Sequence, residues 1–125
     1  MVTARNRTVV CPCGSGEALP DCCLPYIRGE RLAASAEILM RSRYCAYALG
    51  HEKYLLDSWH HSTRPQSVQL DASLKWLRLK IIDSESLADQ VEFVATYKLN
   101  GKAHKLREKS RFVLESGEWF YLQAI

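Results

Sequence analysis

The chain has 125 residues, 47% of them hydrophobic and 25% charged, with a net charge of +3. That is one domain's worth of sequence, able to bury about two-thirds of its unfolded surface. The charge is too mild and too scattered for a nucleic-acid-binding tail, and no apolar run approaches the length of a membrane span.

The first informative segment is Cys11-Pro12-Cys13-Gly14-Ser15-Gly16, closed by Cys22-Cys23. It gathers four of the five cysteines within thirteen residues, among Gly and Pro and short of large apolar side chains. Such a segment has no core of its own, and four thiolates meet the demand of a tetrahedral zinc site. Pro12 fixes φ between the first pair, while Gly14 and Gly16 supply the positive φ of a tight turn beneath a metal. Disulfides are the rival reading. A bridge within Cys-X-Cys or between adjacent cysteines strains the S–S dihedral, so any bridges would cross between the pairs. Met1 to Val10 carries Arg5 and Arg7 but no apolar stretch of a signal peptide. A reducing cytoplasm is therefore expected, where clustered cysteines read as metal ligands. The Cys-X-X-Cys pattern of redox catalysts is absent. Residues 1–25 are accordingly expected to form a zinc knuckle ending at Pro25.

Residues 30–62 read as helical. Ser35 caps a helix whose Ile38, Leu39, Tyr44, Cys45 and Ala48 share a face, and Gly50 stops it. Cys45, mid-helix among small and aromatic residues, reads as a core thiol and not as a nucleophile. A second helix, His51 to about His60, places Tyr54, Leu55 and Trp59 at helical spacing, and Pro65 bars its continuation.

From about Val68 the hydrophobic period becomes two. Lys75–Ile82 puts Leu77, Leu79 and Ile81 on one face, with Trp76, Arg78 and Lys80 on the other. Val91–Leu99 places Val91, Phe93, Ala95, Tyr97 and Leu99 together, and Asn100-Gly101 is a strong hairpin signal. Ala103–Leu114 follows, then a turn around Ser116-Gly117 and a closing strand, Glu118–Ala124. Helices first and a meander second predict an α+β domain over residues 26–125, with helices packed on one face of a curved antiparallel sheet. The loose basic concentration in Lys98–Arg111 reads as the solvated face of a strand.

One strand breaks its own pattern. Ala103–Leu114 aligns Leu106, Glu108, Ser110, Phe112 and Leu114, so Glu108 and Ser110 fall on the apolar face. A buried carboxylate costs several kcal/mol unless it is paired. Three explanations compete: an ion pair to Arg41 or Arg43, a cavity in which Glu108 and Ser110 are the polar groups, or a different register. An apolar cavity with few convergent polar groups is the general form of a small-molecule site. Tyr44, Tyr54, Trp59, Tyr97 and Trp119 are the aromatic candidates to line it, though such residues also serve as plain core. His60 and His61 offer a base or ligand, but adjacent residues on a helix diverge by about 100°. Joint chelation of one metal is therefore not expected, and one histidine facing a cavity with the other in solvent is the plain alternative. His51 and His104 read as surface residues.

Cys11-Pro-Cys-Gly-Ser-Gly16 with Cys22-Cys23 resembles the SEC-C zinc motif, known from the tail of the SecA preprotein translocase motor. The resemblance implies one zinc ion held by Cys11, Cys13, Cys22 and Cys23. Met40-Arg-Ser-Arg-Tyr-Cys-Ala-Tyr47, Glu108-Lys-Ser-Arg-Phe112 and Gly117-Glu-Trp-Phe-Tyr121 are similar to signatures of the YchJ family of small bacterial proteins. That likeness implies the cone of the nuclear transport factor 2-like (cystatin-like) superfamily, and a bacterial source, but brings no established activity. Many members carry a second SEC-C motif after the last strand. None follows Ala124 here, so a function needing two knuckles is not expected.

Two functions follow. With four protein thiolates the metal has no open position, which marks a structural role. The first reading is therefore a zinc-stabilised binding module, its exposed loop Glu17-Ala-Leu-Pro-Asp21 docking a protein partner as the translocase knuckle does. The second is an enzyme or small-molecule binder using the cone cavity, with Glu108 as acid/base or orienting group and Tyr44, His60 and Arg43 nearby. Nucleic acid is disfavoured, because no Lys or Arg lies between Cys13 and Cys22 while Glu17 and Asp21 are acidic.

Overall fold

The computed structural model describes residues 9–125; the start of the predicted knuckle segment, before Val9, lies outside the described residues. A 3₁₀ turn (Leu19–Asp21) and a one-turn helix α1 (Leu24–Ile27) lead into α2 (Ala36–Leu49) and α3 (Glu52–Asp57). The sheet follows as β1 (Lys75–Asp83), β2 (Gln90–Leu99), β3 (Lys102–Glu115) and β4 (Glu118–Ala124), an antiparallel meander in chain order. This is the expected α+β arrangement of helices on one face of an antiparallel sheet.

The punctuation of α2 is local chemistry. Ser35 Oγ accepts a hydrogen bond from the Ile38 N–H at 3.2 Å, and Gly50 leaves the helix with φ of 81°. A cap of this kind stabilises a helix by about 1 kcal/mol. From α2, Leu39, Met40, Tyr44 and Cys45 pack against Leu79 of β1, Val91, Phe93 and Ala95 of β2, and Phe112 of β3. Both hairpins use paired positive φ values, 53° and 79° at Asn100-Gly101 and 53° and 81° at Ser116-Gly117. Those are the angles a two-residue turn needs to match the strand twist.

Two expectations need correction. First, β1 does not alternate evenly. Trp76 pairs with Tyr97 and Arg78 with Thr96, so Leu77 is the extra residue of a β-bulge. The bulge shifts the phase by one. Trp76 therefore faces the helices along with Leu79 and Ile81, while Leu77 is 51% exposed. Second, the second helix stops at Asp57 and does not reach His60. The Tyr121 N–H bonds the Ser58 carbonyl at 2.9 Å, and the His60 N–H bonds the Tyr121 carbonyl at 2.8 Å. The segment after α3 thus closes against the free edge of β4, and that pairing wins over another helical turn.

On β3 the predicted apolar face is only partly covered. Ser110 and Phe112 are buried and Glu108 half-buried, but Leu106 and Leu114 are exposed. At 14 residues each, α2 and β3 differ greatly in reach, about 21 Å against about 46 Å. The helix is too short to cover the whole strand. Lys105, Arg107 and Lys109 sit exposed at alternating positions of β3, the expected solvated basic face. Among the described residues, no helix is long and apolar enough to cross a membrane.

Candidate metal centre and sheet cavity

The cysteine segment folds back on itself through an antiparallel bridge between Val10 and Ala18, with the Cys11 N–H bonding the Glu17 carbonyl at 2.8 Å. Gly14 and Gly16 take φ of 83° and 88°, as the turn requires. A Cβ on Gly14 would lie 3.0 Å from the Leu79 carbonyl oxygen, so the loop lies directly on the backbone of β1. Cys22 and Cys23 arrive from the turn that opens α1. Cys11, Cys13 and Cys23 belong to the same buried core as α2 and the sheet.

The four sulfurs of Cys11, Cys13, Cys22 and Cys23 lie within 4.8 Å of one another. Cys13 and Cys22 are 3.7 Å apart, and Cys22 and Cys23 3.9 Å. A tetrahedron with metal–sulfur bonds of about 2.3 Å has edges of about 3.8 Å, so the cluster has the size of a metal cage. Its electrostatics also suit a cation. Hydrogen bonding from Cys11, and then from Cys23 and Cys45, holds Cys13 far below the usual thiol range, while burial pushes Cys22 up to about 11. The crowded sulfurs do not all ionise together without a positive charge among them. Neighbours complete the shell: Ser15 Oγ is 3.1 Å from Cys22 Sγ, and Cys45 Sγ is 3.3 Å from Cys11 Sγ. Arg41 Nη1 donates to the Cys13 carbonyl at 2.8 Å, while its Nε pairs with Glu37 Oε2 at 2.9 Å. Of these, Cys45 was legible only as core thiol, since spacing of 34 residues from Cys11 carries no ligand signal.

Glu108 lies beside a cavity of about 270 Å³ between α2 and the sheet. Phe93 and Ala95 form part of its floor, Tyr44, Tyr47, Trp76 and Tyr121 its walls, and Arg43, Glu108 and Ser110 its polar groups. Among the described residues Glu108 forms no ion pair, and it accepts one hydrogen bond, from Ser110 Oγ at 2.9 Å. Of the three explanations for its place, the cavity is the one observed. Arg43 is 3% exposed and is spent elsewhere. Its Nη1 donates to the Leu55 carbonyl at 2.8 Å and to Ser58 Oγ at 2.7 Å. Its guanidinium lies 4.5 Å from the centre of Tyr121 and 5.0 Å from that of Trp59. Burial, and after it the Glu108 carboxylate, pushes Tyr121 up to about 12. Tyr44 Oη is buried with no hydrogen-bond partner, and burial raises it to about 12.

The other predicted pocket residues scatter. Arg41 serves the knuckle. Tyr54, bonded to Ser42 Oγ at 2.7 Å, and Trp119 line a separate open cleft of about 430 Å³ beside α1 and α3. Trp59 lies under the Arg43 guanidinium and edge-on to Tyr121 outside the cavity, and Tyr97 meets Trp76 edge-on and stacks on His104. His60 lies 2.9 Å from Glu115. Sequence reasoning missed Tyr47, Trp76 and Tyr121. Tyr47 was within reach, four residues after Arg43 on the same helix; Trp76 was hidden by the bulge.

A family described as "YchJ, middle NTF2-like domain" matches residues 35–124. A UPF0225 protein of Chromobacterium violaceum is 42% identical, the alignment covering 100% of this chain and 98% of the relative. A UPF0225 protein of Deinococcus radiodurans is 46% identical over 91% of this chain and 87% of its own length. Among solved structures, a SEC-C motif containing protein from Rhodopseudomonas palustris superposes with a TM-score of 0.82 at 32% identity, covering 93% of this chain and 97% of the other. A SEC-C motif containing protein from Psychrobacter arcticus shares the fold, with a TM-score of 0.73 at 23% identity over 95% and 83% of the two chains. The helical signature on α2, the Glu108 strand and the closing hairpin all fall inside the matched region, and the chain belongs to the YchJ family.

Proposed function

We propose that this protein is a small-molecule-binding module whose ligand sits in the sheet cavity, with a structural zinc ion in the cysteine cluster stiffening the helical side. The observation that carries the reading is Glu108, a half-buried carboxylate on a cavity wall with no basic partner among the described residues. Zinc in the cluster would have all four positions filled by thiolates, leaving it no part in chemistry. The ligand class follows from the walls. A carboxylate among the faces of Tyr44, Tyr47, Trp76 and Tyr121 suits an organic cation, and Arg43 is already engaged by two rings and two oxygen acceptors. His60 is held by Glu115 and Ser62, outside the cavity, so an acid/base pair with Glu108 has no support.

Thermal-shift titration with benzylamine, benzyl alcohol and phenylacetate tests this. Benzylamine should raise the melting temperature of the wild type and lose that effect in Glu108→Gln. Phenylacetate or benzyl alcohol stabilising equally well would sink the cation reading. A second reading, protein docking through the loop Glu17 to Asp21, draws support from the exposed Val9 and Val10 beside that loop. It predicts that charge reversal at Glu17 and Asp21 abolishes partner binding while leaving the ligand shifts unchanged.

A further inference from the structure

We infer that His60, His61 and Glu115 form a second metal site, for a divalent cation of the Zn²⁺ or Ni²⁺ type, separate from the cysteine cluster. Because α3 stops early, the two histidines are not on a helix and do not diverge. Their rings lie against each other, tilted, with centres 4.2 Å apart and planes inclined by 32°. His60 Nε2 lies 2.9 Å from one carboxylate oxygen of Glu115, and His61 Nε2 lies 3.7 Å from the other. The three ligand atoms fall within 4.8 Å of one another. A tetrahedral ion with bonds of about 2.0–2.1 Å asks for separations of about 3.3–3.4 Å, which small rotations of two exposed side chains would reach.

The backbone beneath the site is fixed in advance. Hydrogen bonds between Tyr121 and both Ser58 and His60 clip the histidine segment to β4, and Thr63 Oγ1 donates to the Leu122 carbonyl at 2.7 Å. Glu115 is the last residue of β3, paired across the hairpin with Glu118. The His60 ring stands edge-on to Phe120. Its Nδ1 lies 2.7 Å from Ser62 Oγ and 3.2 Å from the Ser62 N–H. In the metal-free state the Ser62 N–H points at a bare Nδ1, and Nε2–H donates to Glu115. When a cation takes Nε2, the Ser62 N–H gives up its 3.2 Å contact with Nδ1, and the proton moves to Nδ1, where Ser62 Oγ accepts it. That outer hydrogen bond is the usual support of a ligating histidine. Two imidazoles and one carboxylate select a borderline transition cation over Ca²⁺ or Mg²⁺, and three ligands leave a position for water.

The test is isothermal titration of Ni²⁺ into protein already holding one equivalent of Zn²⁺, with histidine side-chain NMR signals followed in parallel. One further ion per chain should bind in the micromolar range and broaden the His60 and His61 signals, leaving His51 and His104 sharp. Affinity should fall by more than about tenfold in His61→Ala and in Glu115→Gln, and stay unchanged in His104→Ala. Side chains 70% and 49% exposed can be exchanged without unfolding the protein, and unchanged melting would verify that. No second equivalent in the wild type, or binding that survives both substitutions, overturns the assignment.

Discussion

Replacing Arg43 is the sharpest test of how the helices are joined to the sheet. Its Nη1 carries two hydrogen bonds, to the Leu55 carbonyl and Ser58 Oγ, which tie α2 to the end of α3. Each bond from a charged donor contributes about 1.5–3 kcal/mol. The two ring faces, Tyr121 and Trp59, add about 0.5–2 kcal/mol each. Against these stands the desolvation of a cation with no acidic partner among the described residues, several kcal/mol. The gains sum to about 4–10 kcal/mol, so after a penalty of about 3 kcal/mol the charge nets at least about 1 kcal/mol. Arg43→Met keeps the volume of the stem and should lose that amount. Arg43→Ala also leaves a hole beneath the rings, for a total of about 3–5 kcal/mol, a large share of a typical domain stability. Urea denaturation followed by tryptophan fluorescence measures both. Equal losses in the two variants, or a Lys variant as stable as the wild type, would refute the reasoning, because an ammonium has no plane to lie over two rings.

Leu79→Ala should cost about 2–5 kcal/mol as a buried truncation, whereas Leu77→Lys should stay within about 0.5 kcal/mol; chemical denaturation of both checks the β1 bulge. If the cysteine cluster holds the proposed zinc, a strong chelator under reducing conditions should lower the melting temperature of the whole chain, since Cys11, Cys13 and Cys23 share the core of α2 and the sheet. Calorimetry showing an unchanged main transition would contradict it. Acid should release the same ion, because protons compete for the thiolates. The Ser84 hydroxyl, and after it Arg41, holds the Glu37 carboxyl below its ordinary range. Its contribution to stability is therefore full above the ordinary carboxylate range and fades as pH falls through the depressed value. Glu37→Gln should flatten that slope in urea midpoints measured across acidic pH.

Much of this architecture is legible in the residues because local signals agree with the global packing. Ser35, Gly50 and the two hairpin dipeptides act within a few residues, and they place α2 and the β2–β3–β4 meander. Glu108 was visible as an anomaly for the same reason: alternation on β3 is unbroken through Phe112. What was not legible arises from interactions across the chain. The Leu77 bulge turns Trp76 inward, and no pattern within β1 announces it. The end of α3 is decided by Tyr121, over sixty residues away, so the convergence of His60, His61 and Glu115 was out of reach. The aromatic candidates scattered because spacing reports a helix face without reporting which neighbour covers it.

The burial of the cysteine cluster has a kinetic consequence. Cys11, Cys13 and Cys23 are closed off, and Cys22, beside the exposed Ser15, is the sulfur that water reaches. An ion held there has one door. For the proposed zinc, exchange would begin at Cys22, the sulfur open to an incoming chelator or thiol. A bulky competitor should therefore strip the ion slowly even when it binds far more tightly, and residence time, more than equilibrium affinity, would govern how long the chain keeps its metal.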